Sequence, residues 1–289
     1  MGAGVIAEPH VQAWLALGAD VTVYSRRPPT EFAGRHGIGV ARSLEALVAE
    51  CDIVDVCSPT PTHEEVVRLS LASGRHVVCE KPLARSATAA QSLVDTADAA
   101  GVLLFPAHVV RYFPAYADLR QRLDAGEAGV VRSAVLTRRV AAPPAGSWFH
   151  DTGQSGGVVL DLMIHDLDQV LWLFGPVRSV AAELTGSGGR GVRARLEHES
   201  GVISTVEGEW GPAGTVFATS CDVHGSTGVL HTDSVSAPVA ADAESPYLRQ
   251  LRDVLDHLRT GRPTRVTAPD GVAAVALAER VLEQLASRS

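Results

Sequence analysis

"DIVDVCSPTPTHEEVVRLSLASGRHVVCEKP" occupies residues 52–82, and its reading decides the fold. Its two ends, "DIVDVCS" (52–58) and "HVVCE" (76–80), are short apolar runs of strand character. Between them 61–73 reads as a helix, with Thr62 at an N-cap position and Gly74 at a C-terminal stop. A buried strand, a helix and a second buried strand call for parallel pairing. The same texture runs outward. Upstream lie the helix-like stretch 5–17, the strand "DVTVYS" (20–25) and the helix-like stretch 43–50. Downstream lie a helix over 86–100, between Ser86 and Gly101, and the strand "VLLFP" (102–106). Residues 1–110 are therefore expected to form an α/β domain of Rossmann type, a doubly wound parallel sheet.

Beyond residue 110 the pattern changes. An amphipathic helix (114–125), a strand (130–140), a Pro/Gly-rich loop (142–157) and a helix (158–173) come first. Strand-like runs follow at 178–185, 192–199, 202–210, 215–224 and 228–232, as in an antiparallel meander. Residues 234–245 read as a small-residue loop, and helices over 246–259 and 269–286 close the chain. This predicts a second, α+β domain over 111–289 with a mostly antiparallel open sheet.

Composition narrows the function. Apolar residues make up 46% of 289, enough for a substantial core, and the net charge of −8 argues against a nucleic-acid footprint. No apolar run has the length of a membrane span, and no secretory leader is evident. Cys51, Cys57, Cys79 and Cys221 form no C-x-x-C pair, which fits a reducing cytoplasm.

The opening "MGAGVIAEPH" places Gly2, Gly4 and Ala7 in a G-x-G-x-x-G/A spacing, with Val5 and Ile6 between them. That spacing suits a tight turn, close backbone approach to a pyrophosphate, and helix–strand packing. The second strand ends in Ser25, Arg26 and Arg27, where an NAD site would carry an acidic residue. A hydroxyl and a guanidinium suit a 2′-phosphate, so NADP is expected ahead of NAD. Ser58, Thr60, Thr62 and His63 lie at the carboxyl end of the next strand, and Glu80 and Lys81 at the end of the one after. Ligands of open α/β sheets bind at that edge. The strand before Gly2 is missing, with Met1 standing at its last position. We expect a gene start upstream of Met1, supplying about six apolar residues; the competing reading is a natural shortening that impairs cofactor binding.

Lys81 is the only lysine; the other 24 of the 25 basic residues are arginine. An ammonium can give or take a proton near neutrality, which a guanidinium cannot. In the second domain Asp161 and His165 are four apart and share a helix face, with Asp168 near it. His165 can exchange a proton near neutral pH. No third His or Cys stands in register with them, so no metal site is expected.

These segments, "GAGVIAEPH", "SPTPTH", "EKPLA", "VRYFPAY" and "SGGVVLDLMIHDLDQVLWLFG", resemble the glucose–fructose oxidoreductase, inositol dehydrogenase and rhizopine catabolism family over essentially the whole chain. The resemblance implies an NAD(P)-dependent oxidoreductase acting on a hydroxyl or ketone of a sugar, cyclitol or related polyol. It implies Lys81, Asp161 and His165 as the catalytic group, and leaves open which of Lys81 and His165 takes the proton. Arg111, Trp148 and His165 are expected to line the substrate, with His108 and His150 as further candidates and Arg111 alternatively a brace. Met163, small in many members, is expected to reshape the site. A homodimer or homotetramer through the second sheet is implied. Two other readings stay open: a catalytically silent dinucleotide-binding regulator, and an NAD-dependent glycosidase of the same fold.

Overall fold

The computed structural model describes residues 1–186, 190–233 and 244–287; most of the loop expected at 234–245 lies outside them. The chain divides into two compact units, Met1–Tyr112 with Glu244–Val272, and Phe113–Ala243 with Ala273–Ser289.

The first unit begins with α1 (Ala7–Ala16), β1 (Thr22–Val23), α2 (Thr30–His36), β2 (Gly39–Val40) and α3 (Leu44–Glu50). It continues with β3 (Ile53–Val56), α4 (His63–Ala72), β4 (His76–Glu80), α5 (Ala87–Ala100) and β5 (Leu104–Ala107). The strands β3, β4 and β5 pair in parallel in that order. Both faces are covered, as a parallel sheet requires. Val77 and Cys79 pack with Leu71 of α4 and Leu93 of α5, whereas Val78 packs with Trp14, Phe105, Leu251 and Val254. Leu251 and Val254 belong to the helix Pro246–Thr260. That apolar face explains why Glu244–Val272 groups with the first unit and not, as its position in sequence suggests, with the second. Ser86 caps α5 by accepting the Ala89 N–H, and Gly101 closes it in the left-handed region.

Among the described residues β1 and β2 pair only with each other, in parallel. Between this pair and the β3 edge a cavity of about 480 Å³ opens, lined by Val21–Val23, Ile53–Asp55, His10 and Trp14 among others. Met1 and Gly2 bridge its end. The Met1 ammonium donates to the Asp55 carbonyl (2.5 Å), Cys57 N–H donates to the Met1 carbonyl (2.8 Å), and Gly2 N–H donates to the Tyr24 carbonyl (2.8 Å).

The second unit holds α6 (Pro114–Asp124), β6 (Val131–Ala141), the short α7 (Thr152–Ser155) and α8 (Ile164–Phe174). It continues with β7 (Val177–Thr185), β8 (Gly191–His198), β9 (Ile203–Gly211), β10 (Ala218–Gly225) and β11 (Val229–Asp233). Its sheet runs β11-β10-β6-β9-β8-β7. Five strands follow the expected meander in sequence, but β6 inserts between β9 and β10 and pairs with β9 in parallel. A mostly antiparallel mixed sheet results. On β8, Val192, Ala194 and Leu196 are buried while Arg193 and Arg195 alternate outward. Arg138 of β6 grips Asp166 of α8 through two charge-assisted hydrogen bonds (2.7 and 2.9 Å), both side chains being buried.

Candidate active site

Gly2 has φ +105°, and a Cβ there would stand 2.8 Å from the Cys57 carbonyl group, so only glycine fits this turn. Around Gly4 a Cβ would meet nothing within 4 Å, leaving the backbone open to a ligand. Ala7, the third small residue, is buried against the sheet. Val5 is 94% exposed and Ile6 partly so. The turn and the opening of α1 thus fit a dinucleotide's pyrophosphate. Ser25 is half-buried after β1, and Arg26 and Arg27 are exposed beside it.

The loop after β3 is held from inside. Ser58 Oγ and Thr62 Oγ1 are 2.7 Å apart, and the Thr62 hydroxyl donates to the Pro59 carbonyl (2.8 Å). Thr62 therefore stitches the turn and does not cap α4 with its side chain. Thr60 is buried. The ring of His63 is buried between the carbonyls of Pro82 (2.8 Å) and Ser58 (2.7 Å), joining the two loops at the sheet's carboxyl edge. Burial pushes its pKa down.

Lys81 follows β4 and is half-buried; its N–H donates to Glu80 Oε2 (3.1 Å). Glu80 itself is buried, and its other carboxylate oxygen meets His10 Nε2 at 3.0 Å. Arg111 is 2% exposed; it donates to the Arg265 carbonyl (3.2 Å) and approaches Asp270 at 3.2 Å. An arginine so buried and engaged is an internal brace of the first unit. His108 is buried too.

In the second unit, Val159–Met163 is wound as a π-helical turn leading into α8. Such turns are rare and concentrate at functional sites. Among residues 157–170 only Asp161 and His165 reach solvent; every other side chain is buried. Asp168 is fully buried. Met163, expected to reshape the site, is fully buried against Gly208 of β9, where a Cβ would lie 2.2 Å from Met163 Cγ. Trp148 stacks on Phe149 (centroids 4.1 Å apart) in the loop before α7, and the exposed His150 meets the Pro143 carbonyl (2.9 Å).

The sequence reading passed over one buried group. His10 Nδ1 lies 2.8 Å from Asp55 Oδ2, which also accepts the Trp14 indole N–H (2.7 Å), and Cys57 Sγ is 3.4 Å from Asp55 Oδ1. The signal was present: Asp55 interrupts an apolar strand, and a buried carboxylate needs partners. Among the described residues, His10, Asp55 and Cys57 are the one trio with metal-ligand spacing, but both imidazole nitrogens already face carboxylates.

Comparison with known proteins identifies the family. Residues 1–108 match the oxidoreductase family with an NAD-binding Rossmann fold, and residues 116–231 match the GFO/IDH/MocA C-terminal domain. The chain is 31% identical to the 1,5-anhydro-D-fructose reductase of Ensifer adhaerens over 247 residues, covering 80% of this chain and 73% of that one. It is 30% identical to the rhizopine catabolism protein MocA of Rhizobium meliloti over 310 residues, covering 99% and 93%. The crystal structure of a putative myo-inositol dehydrogenase from Sinorhizobium meliloti 1021 superposes with a TM-score of 0.87 at 25% identity, covering all of this chain and 96% of that one.

Proposed function

Because the chain belongs to the GFO/IDH/MocA oxidoreductase family, we propose a hydride-transfer function and assign its parts to particular residues. The protein is an NAD(P)-dependent oxidoreductase of sugar or cyclitol CH–OH groups; its relatives include proteins named as an anhydrofructose reductase and myo-inositol dehydrogenases. The observation that carries the assignment is the pair Asp161 and His165, alone in reaching solvent from an otherwise buried stretch.

Gly2, Gly4, Val5 and Ile6 would hold the cofactor's pyrophosphate at the start of α1, which supplies backbone N–H groups. A nicotinamide bound there would supply the hydride acceptor for the carbinol carbon. His165 removes the hydroxyl proton, and Asp161 orients the imidazole. Lys81 stabilises the developing alkoxide and relays the proton. Trp148 offers an aromatic face to the sugar. Ser25 and Arg26 favour NADP over NAD, because only NADP presents a phosphate to the guanidinium. Thr60, Thr62 and Ser58 shape the loop beside the cofactor. Assembly is a homodimer or homotetramer through the six-stranded sheet, whose outward Arg193 pairs with Glu207 (2.7 Å) and Glu183 (3.2 Å). The compartment is the cytoplasm.

The test mixes the protein with NADP or NAD and a panel of inositols and sugars, and follows nicotinamide absorbance. Reduction with at least one polyol, faster with NADP, is expected. Tight cofactor binding with no reduction across the panel would overturn the assignment in favour of a silent regulator or a glycosidase.

A further inference from the structure

Lys81 is held by a chain of buried charges that starts on α1. Its N–H donates to Glu80 Oε2 (3.1 Å); Glu80 Oε1 lies 3.0 Å from His10 Nε2; His10 Nδ1 lies 2.8 Å from Asp55 Oδ2. His10 is 1% exposed and Glu80 5%. Taking Lys81 as the alkoxide-stabilising group proposed above, we infer that His10 is its positioning residue, a doubly donating imidazolium that fixes the Glu80 carboxylate and through it the backbone of Lys81.

The donor count supports this. Asp55 accepts from the Trp14 indole and has the Cys57 thiol at hydrogen-bond distance, so it is arranged as an ionised acceptor. Glu80 accepts the Lys81 amide. With both carboxylates ionised, neither has a proton to offer His10, and each imidazole nitrogen donates. A neutral ring has one N–H and would set the lone pair of its other nitrogen against a carboxylate oxygen, which is costly. The groups facing His10 are Asp55 of β3, Glu80 of β4, Cys57 and, from the helix Pro246–Thr260, the ring of Tyr247 at 5.3 Å. Burial works against a charge on His10, yet the Asp55 carboxylate at 2.8 Å holds its pKa well above the ordinary value. Burial and the Asp55 carboxylate together push the Cys57 thiol up to about 11, so the thiol keeps its proton.

The experiment uses the cofactor-loaded protein with NAD. Nitrogen-15 NMR of the histidine rings should show His10 with both nitrogens protonated at a pH where an ordinary histidine is neutral. Glu80→Gln keeps the shape and removes one of the two charges; His10 should then lose its proton at a lower pH. His10→Phe should speed amide exchange at Lys81 by about tenfold or more, while Val77 and Val78 in the same strand stay protected. With a polyol substrate, the same variant should lose about tenfold in kcat with little change in the KM for NAD. A neutral His10 in the native protein, an unshifted ring titration in Glu80→Gln, or unchanged Lys81 exchange in His10→Phe would each overturn the clasp. If no polyol is turned over by the native protein, the dehydrogenase assignment falls, while the ring and exchange measurements still decide the clasp.

Discussion

Lys81→Arg keeps a positive charge at the end of β4 and removes a compact group able to exchange a proton. Turnover should fall by about 10²-fold or more, the scale of a positioned acid–base group, with cofactor affinity nearly unchanged. Steady-state kinetics beside a cofactor titration checks this; near-native turnover would show that Lys81 takes no part in the proton exchange. Arg26→Ala tests a different contact. It should weaken NADP by about 1.5–3 kcal/mol, as for a hydrogen bond to a charged group, and barely touch NAD. Equal losses in parallel titrations would show that Arg26 does not read the phosphate. Residue identity alone told less about roles inside the fold. Arg111 and Met163 attract notice as possible substrate neighbours, yet both are buried, one against Asp270 and the other against Gly208. Burial follows from tertiary packing, which no single residue announces.

Gly208 shows how two elements share space. It opens a slot in β9 that the Met163 side chain fills from the π-helical turn. Gly208→Ala should overpack this contact and cost about 1–3 kcal/mol, seen as a lower urea midpoint with an unchanged slope. Met163→Ala in the same background should recover part of the loss, because it removes the atoms that collide. The alternation of strands and helices through residue 107 was legible because period and punctuation agree: Ser86 and Gly101 do cap α5. The place of β6 was not legible. Its partners β9 and β10 lie some seventy and eighty residues on, and a strand's own pattern carries no record of which neighbour it pairs with in parallel. The π-helical turn was hidden for a related reason. Its residues read as ordinary helix formers, and only packing selects the wider winding. Asp161 and His165 stood out in the sequence by their spacing, and both are half-buried where their neighbours are fully buried.

Across the molecule, buried and half-buried ionisable groups pull stability in opposite directions with pH. Burial opposes ionisation of Asp55 and Asp270, but His10 and Arg111 respectively hold both carboxyls below the usual range. Their stabilising contribution is present above about pH 4 and is lost as pH falls through the lowered folded values. His10 is shifted the other way, so its contribution is complete below about pH 6.5 and is lost as pH rises through the raised folded value. Urea midpoints measured across pH should therefore form a plateau that falls at both ends, and Asp270→Asn should flatten the acid limb. A midpoint that climbs steadily into alkali would contradict the charged state of His10. The scarcity of lysine has one more consequence for the molecule as a whole. Of 289 residues, one carries a side-chain primary amine, half-buried at the edge of the sheet, and the Met1 amine is tied to the Asp55 carbonyl. Acylating reagents and reductive methylation thus have a single side-chain target, so amine-directed dyes or cross-linkers would attach to the side chains at one address beside the α-amine.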